Sequence, residues 1–128
     1  MDLILNSTFE TPSVRFIESN GIFFIQGRVI PSKGSAFWNT IHTWVSESIT
    51  LYDGPIILTI EVEYINADSV SQLLNLISSL NIISTKGHKL TVNWISESDE
   101  DDEILLIGQD IAATVNCTFN FKEELEEI

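Results

Sequence analysis

The chain has one cysteine, one methionine, three prolines and six glycines in 128 residues. A lone Cys117 excludes an intramolecular disulfide and argues against a structural zinc site, which takes four ligands. There are two histidines, His42 and His88, and they fall in different expected elements. No HExxH, no histidine pair at metal-ligand spacing and no glycine-rich phosphate loop occurs. Serine, histidine and aspartate are all present, but no GxSxG elbow is. Nothing here supports an enzyme, and no cofactor is implied. Positive charge is scarce too: six Lys and Arg face nineteen Asp and Glu, a net charge of −13. Such a surface repels nucleic acid and anionic membrane, which need Lys and Arg to neutralise phosphates. No segment approaches the ~18 continuous apolar residues of a membrane span. The opening "MDLILNSTF" has an acid at position 2 and a three-residue apolar run, so it is not expected to be a signal peptide. "NCT" at Asn116 matches a glycosylation sequon, but nothing else suggests secretion, and a cytoplasmic protein is expected.

What is present fits a single domain spanning residues 1–128. Hydrophobic residues make up 44%, enough to bury a core. A domain near this size buries roughly two thirds of its unfolded surface. The acidity is uneven. Residues 1–96 carry eight acids and five bases; residues 97–128 carry eleven acids and one base. Partners are therefore expected to be proteins with basic or apolar docking faces. The run "ESDEDDE" (97–103) fails the EF-hand spacing. It fits the first turn of a helix, where acids favour the positive end of the dipole.

Along the chain, "LIL" (3–5), "SVRFI" (13–17) and "IFFIQGRVI" (22–30) read as strands. Phe37, Ile41, Trp44, Val45 and Ser48 give a helical stripe, predicting a helix from about Ser35, its N-cap, to Ile49. "YDGP" (52–55) is a turn. "IILTIEVEYI" (56–65) begins as a continuous apolar run, as in a buried central strand. Val70, Leu73, Leu74, Ile77 and Leu80 form a second helical stripe, ended by Lys86-Gly87-His88. "KLTVNWI" (89–95) alternates with Leu90, Val92 and Trp94 on one face. A third helix, with Ile104, Leu105, Ile107 (or Gly108) and Ile111 inward, follows the acidic run. "NCTFNF" (116–121) reads as a last strand, and about 122–128 as an acidic tail, helical or disordered. Alternating strands and helices predict an α/β domain, a mixed sheet with helices on one or both faces.

The stretch "YINADSVSQLL" (64–74) joins the central strand to the second helix. "SVSQ" fits a capping box, in which the Ser69 hydroxyl accepts from the Gln72 N–H and Gln72 reaches back. Asp68 adds a carboxylate beside the helix N-terminus. The same geometry also suits a switch. A hydroxyl exposed at such a corner is reachable by a kinase, and a phosphate there adds about −1.5 to −2 charges that the dipole tolerates. Local chemistry leaves both readings open.

The segments "TPSVRF" (11–16), "GRVIP" (27–31), "FWNTIHTWV" (37–45), "LTIEVEYINADS" (58–69) and "VNWISESDEDDEILLIGQD" (92–110), in this order and spacing, resemble the SiaC-type regulatory phosphoproteins. The resemblance implies a STAS-like fold, with a sheet flanked by about three helices, and a non-enzymatic role in partner switching. It implies a kinase that phosphorylates a hydroxyl just after Tyr-x-Asn, a phosphatase that reverses this, and an unphosphorylated form that binds and activates a diguanylate cyclase. This sequence departs from the pattern at that place. The family usually reads Thr-Ser-Ser after Tyr64-x-Asn66, with the threonine as acceptor; here stand Ala67, Asp68 and Ser69. "GRVIPSK" also departs from the family's usual Gly-Arg-Ser-Tyr-Pro-Glu-Asn.

Three expectations follow. The switch has moved to Ser69; or it is absent and Asp68 holds a fixed charge; or the chain is a scaffold docking another protein through its acidic surface. A cyclase would dock on Tyr64, Asn66 and the exposed helix residues Ser71, Gln72 and Asn75. Nothing in the sequence demands a dimer.

Overall fold

The computed structural model describes residues 2–32, 35–49, 52, 54–84, 89–97 and 102–124. The strands are β1 (Leu3–Leu5), β2 (Ser13–Ile17), β3 (Ile22–Val29), β4 (Ile56–Ile65), β5 (Leu90–Glu97) and β6 (Thr118–Glu124). The helices are α1 (Phe37–Ser48), α2 (Ala67–Ser84) and α3 (Asp102–Thr114). The six strands form one mixed sheet in the order β1-β2-β3-β4-β5-β6. β1, β2 and β3 pair antiparallel, and β3 through β6 pair parallel. Each parallel step is bridged by one helix. Crossovers of the usual right hand between successive neighbours put all three helices on one face.

Burial follows that layout. Val14, Phe16, Phe23, Ile25, Ile56, Leu58, Ile60, Leu90, Val92 and Trp94 point under the helices and are buried. The alternate residues Ile22, Phe24 and Ile57 are exposed on the open face. Phe16 and Phe23 stack at 4.5 Å, and Trp44 of α1 meets both edge-on at 5.6 Å. The expected α/β architecture is therefore present, with helices on one side only.

Helix α1 starts at Phe37, after an Ala36 cap without a side-chain bond. Ser35 is thus not the cap residue, though its hydroxyl accepts from the Phe37 N–H at 3.2 Å. Helix α2 starts at Ala67 rather than Val70, and its buried stripe is Ser69, Leu73, Leu76, Ile77 and Leu80. That set is one helical face at i, i+4, i+7, i+8 and i+11, and Val70 and Leu74 flank it half-buried. In α3, Ile104, Gly108 and Ile111 are buried, while Leu105 and Ile107 are half-buried. Residues 122–124, expected in a helical or disordered tail, continue β6 by pairing with Ile95, Ser96 and Glu97. Residues 85–88, 98–101 and 125–128 lie outside the described residues, and with them His88, most of the acidic run and the rest of the tail.

Trp94 is fully buried, and its indole N–H donates to the Ile104 carbonyl at 3.1 Å. A methyl group at Gly108 would lie 2.6 Å from the Trp94 ring. Gly108→Ala is therefore expected to destabilise the domain by about 1–3 kcal/mol, despite alanine's better helix propensity. Denaturant unfolding checks this; a stabilised variant would show that α3 does not need this close approach.

Candidate functional site

The corner after β4 is built on Asn66. Its side-chain oxygen accepts from the Ser69 N–H at 3.0 Å, and its backbone carbonyl accepts from the Val70 N–H at 3.1 Å. Asn66 is therefore the N-cap of α2, and the predicted Ser69–Gln72 capping box is not formed. The physical reason lies in the other end of the amide. The Asn66 Nδ2 donates to the Pro31 carbonyl at 3.3 Å, and the Asn66 backbone N–H donates to the Val29 carbonyl at 3.1 Å. One side chain caps α2 and ties it to the end of β3. Serine has no NH₂ group with which to make the second bond. Asn66→Ala is expected to cost about 1–2 kcal/mol, and Asn66→Asp to recover only the capping share. Parallel thermal melts check this; equal stability of the three proteins would refute the double role.

Ser69, third in the helix, has 0% exposure. Its hydroxyl accepts a hydrogen bond from the Trp38 indole N–H of α1 at 3.0 Å. The exposed hydroxyl expected at this corner is thus a buried one. Trp38 stacks on His42 with ring centres 6.0 Å apart, and His42 Nε2 lies 2.8 Å from Gln72 Oε1. The first two turns of α1 and α2 are therefore joined by two polar bridges, Trp38–Ser69 and His42–Gln72. His42 is half-buried. Trp38 is 5% exposed and joins the core.

A cleft of about 270 Å³ opens beside these bridges. Trp38, Asn39 and His42 line it from α1, Asp68 and Gln72 from α2, and Pro31, Ser32 and Ser35 from the loop before α1. Ala67, Asp68, Ser71 and Asn75 are exposed, and Gln72 is half-buried. Positions 68, 71, 72 and 75 share one helix face, so α2 presents a short polar strip toward solvent. Tyr64 is 61% exposed just before the corner. The sequence reading missed Trp38, Asn39 and the Pro31 carbonyl as parts of this site. The Trp38–His42 spacing of four was the signal that both face the same neighbour.

Among the described residues, no group of three His, Cys, Asp or Glu could hold a metal. Burial raises the Cys117 thiol above its ordinary range, which disfavours the reactive thiolate. Among the described residues, no helix is long and apolar enough to cross a membrane.

No curated protein matches the chain. Solved structures do. A structure of apo-SiaC from Pseudomonas aeruginosa matches with a TM-score of 0.82 at 16% identity, covering 95% of this chain and 98% of that one. A second, of SiaC from the same organism, matches with a TM-score of 0.83 at 17% identity, covering 97% and 99%. A chain from the crystal structure of the diguanylate cyclase SiaD in complex with its activator SiaC, also from P. aeruginosa, matches with a TM-score of 0.86 at 16% identity, covering 96% and 100%. At these identities the likeness shows the fold. The family follows from sequence: the model of the SiaC family regulatory phosphoproteins matches residues 5–124. The chain belongs to the SiaC family of regulatory phosphoproteins.

Proposed function

We propose that this chain is a cytoplasmic, non-enzymatic regulator that binds and controls a diguanylate cyclase, and that it has no working phosphoswitch at positions 67–69. Family membership supports the regulatory role, and the cyclase in the SiaD–SiaC complex supports the partner class. One observation carries the second half. Of these positions, the two exposed ones, Ala67 and Asp68, have no hydroxyl, and the one hydroxyl, on Ser69, is buried and bonded to Trp38. A kinase must bring the hydroxyl to the γ-phosphate in line. Ser69 meets that demand only if the first turn of α2 leaves α1. The docking face in this reading is Tyr64, Asn66 and the polar strip of Ser71, Gln72 and Asn75. Asp68 adds a fixed charge on the same strip, smaller than a phosphate and with fewer acceptor oxygens.

Two measurements test the reading. Calorimetry with the purified cyclase, alongside cyclic di-GMP production, is expected to show binding and a changed rate; no binding sinks the regulator. Incubation with a cognate kinase and ATP, followed by peptide mass spectrometry, is expected to give no phosphate at 67–69. Stoichiometric phosphate on Ser69 would sink the loss of the switch and favour a moved one.

A further inference from the structure

We infer that Phe9, Arg28 and Tyr64 form a second anchor of the docking surface, and that it takes an apolar partner segment flanked by a carboxylate. The inference rests on the cyclase-binding reading above and extends its surface to the open side of the sheet.

Phe9 is 76% exposed at the tip of the β1–β2 loop. A single exposed apolar residue is ordinary. This one is held in place. The Thr8 hydroxyl accepts from the Glu10 and Thr11 N–H groups at 3.2 and 3.0 Å, and the Thr8 N–H donates to the Thr11 carbonyl at 2.9 Å. The Ile30 N–H donates to the Glu10 carbonyl at 2.8 Å, and the Ser32 hydroxyl donates to the Glu10 carboxylate at 2.6 Å. The loop is ordered before any partner arrives, which lowers the entropy lost on binding.

Phe9 does not stand alone. The Arg28 guanidinium lies 4.8 Å from its ring centre and 5.8 Å from that of Tyr64. A β-bulge puts Arg28 there: the β3–β4 register shifts between Gly27 and Arg28, and Gly27 has φ 126°. Side chains rarely adopt that angle, so the bulge depends on glycine. Glu63 pairs with Arg28 through Nε at 3.6 Å, and the Arg28 side chain stays partly exposed. A cleft of about 300 Å³ lies alongside, lined by Ser7, Thr8, Ser13 and Gln26 beside Arg28 and Glu63. Aromatic residues and arginine are the side chains on which interface energy concentrates.

Charge placement selects the partner. The strand order puts the described part of the acid-rich segment, Glu97 and residues 102–124, at the β5–β6 edge, opposite the β1–β3 side that carries this patch. A carboxylate therefore approaches Arg28 on the less acidic half of the chain. Its apolar neighbour packs on Phe9 and Tyr64. Tyr64 lies two residues before the Asn66 cap, which places this anchor at the end of β4 from which α2 starts.

The test uses the full chain and the purified cyclase in calorimetry at two salt concentrations. Phe9→Ala and Tyr64→Ala are expected to weaken binding about tenfold or more. Arg28→Gln is expected to weaken it and to flatten its salt dependence, with little rescue by Arg28→Lys. Phe9→Ala, on an exposed loop, should melt with the wild type, so its loss of binding is not a loss of fold. Wild-type-like binding by folded Phe9→Ala overturns this anchor and leaves the cyclase reading standing. A wild-type chain that does not bind the cyclase overturns both.

Discussion

Ala67→Thr is expected to convert a chain that takes no phosphate into one that takes a single phosphate, at position 67. The position is exposed and is the first residue of α2. A hydroxyl there reaches solvent without disturbing the Asn66 cap, whose side chain binds the Ser69 N–H three residues on. The helix dipole supports an added −1.5 to −2 charges at this end, at roughly 0.3–1 kcal/mol per charge. Asp68 next door works against it as a like charge. The phosphate is therefore stable but crowded, and it stands on the strip proposed to meet the cyclase. Partner affinity should fall about tenfold or more on phosphorylation, since like charge and an unpaired desolvated group both oppose docking. Intact-mass spectrometry and calorimetry before and after kinase treatment check this. If a kinase that modifies other family members leaves the variant unmodified, position 67 is not the lost acceptor. If the phosphorylated variant binds the cyclase unchanged, the strip is not the interface.

Much of the fold was legible because its signals are local. The apolar start of β4 marked a central strand, but only its alternate residues Ile56, Leu58 and Ile60 are buried while Ile57 is exposed on the open face; the alternation around Trp94 marked its neighbour's inner face. The corner was harder, for a definite reason. Asn66-x-x-Ser69 and Ser69-x-x-Gln72 are both credible helix starts, three residues apart. Choosing between them decides whether Ser69 lies outside the helix or in phase with Leu73, Leu76 and Leu80. What decides is distant in sequence: the Pro31 carbonyl lies 35 positions from Asn66, and the Trp38 indole 31 positions from Ser69. Periodicity within one segment carries no trace of either partner. The Phe9–Arg28–Tyr64 cluster was hidden in the same way, since it joins a loop to two strands through a bulge.

Ser69→Asp, the usual imitation of a phosphoserine, is expected to act here as an unfolding mutation rather than a switch. The position has no exposure, and its one side-chain partner is the Trp38 N–H. A carboxylate placed there keeps one donor for two oxygens and loses its water. An uncompensated buried charge costs about 3–5 kcal/mol, a large share of the ~5–15 kcal/mol that holds a domain together. Ser69→Ala is milder. It leaves the Trp38 N–H without its acceptor, at about 1–3 kcal/mol, and adding Trp38→Phe should recover part of that loss. Asp68→Asn, exposed one residue earlier, should change little. The pH dependence separates charge from bulk. Burial raises the introduced acid above its unfolded value of about 3.9, so the folded state binds the extra proton. The variant's deficit relative to wild type should therefore shrink as pH falls toward ~4 and be full at pH 7. Denaturant melts at both pH values measure it. A deficit independent of pH would mean that size, not charge, is what the Trp38 contact excludes. No deficit at all would mean that Ser69 opens to solvent readily enough to be phosphorylated.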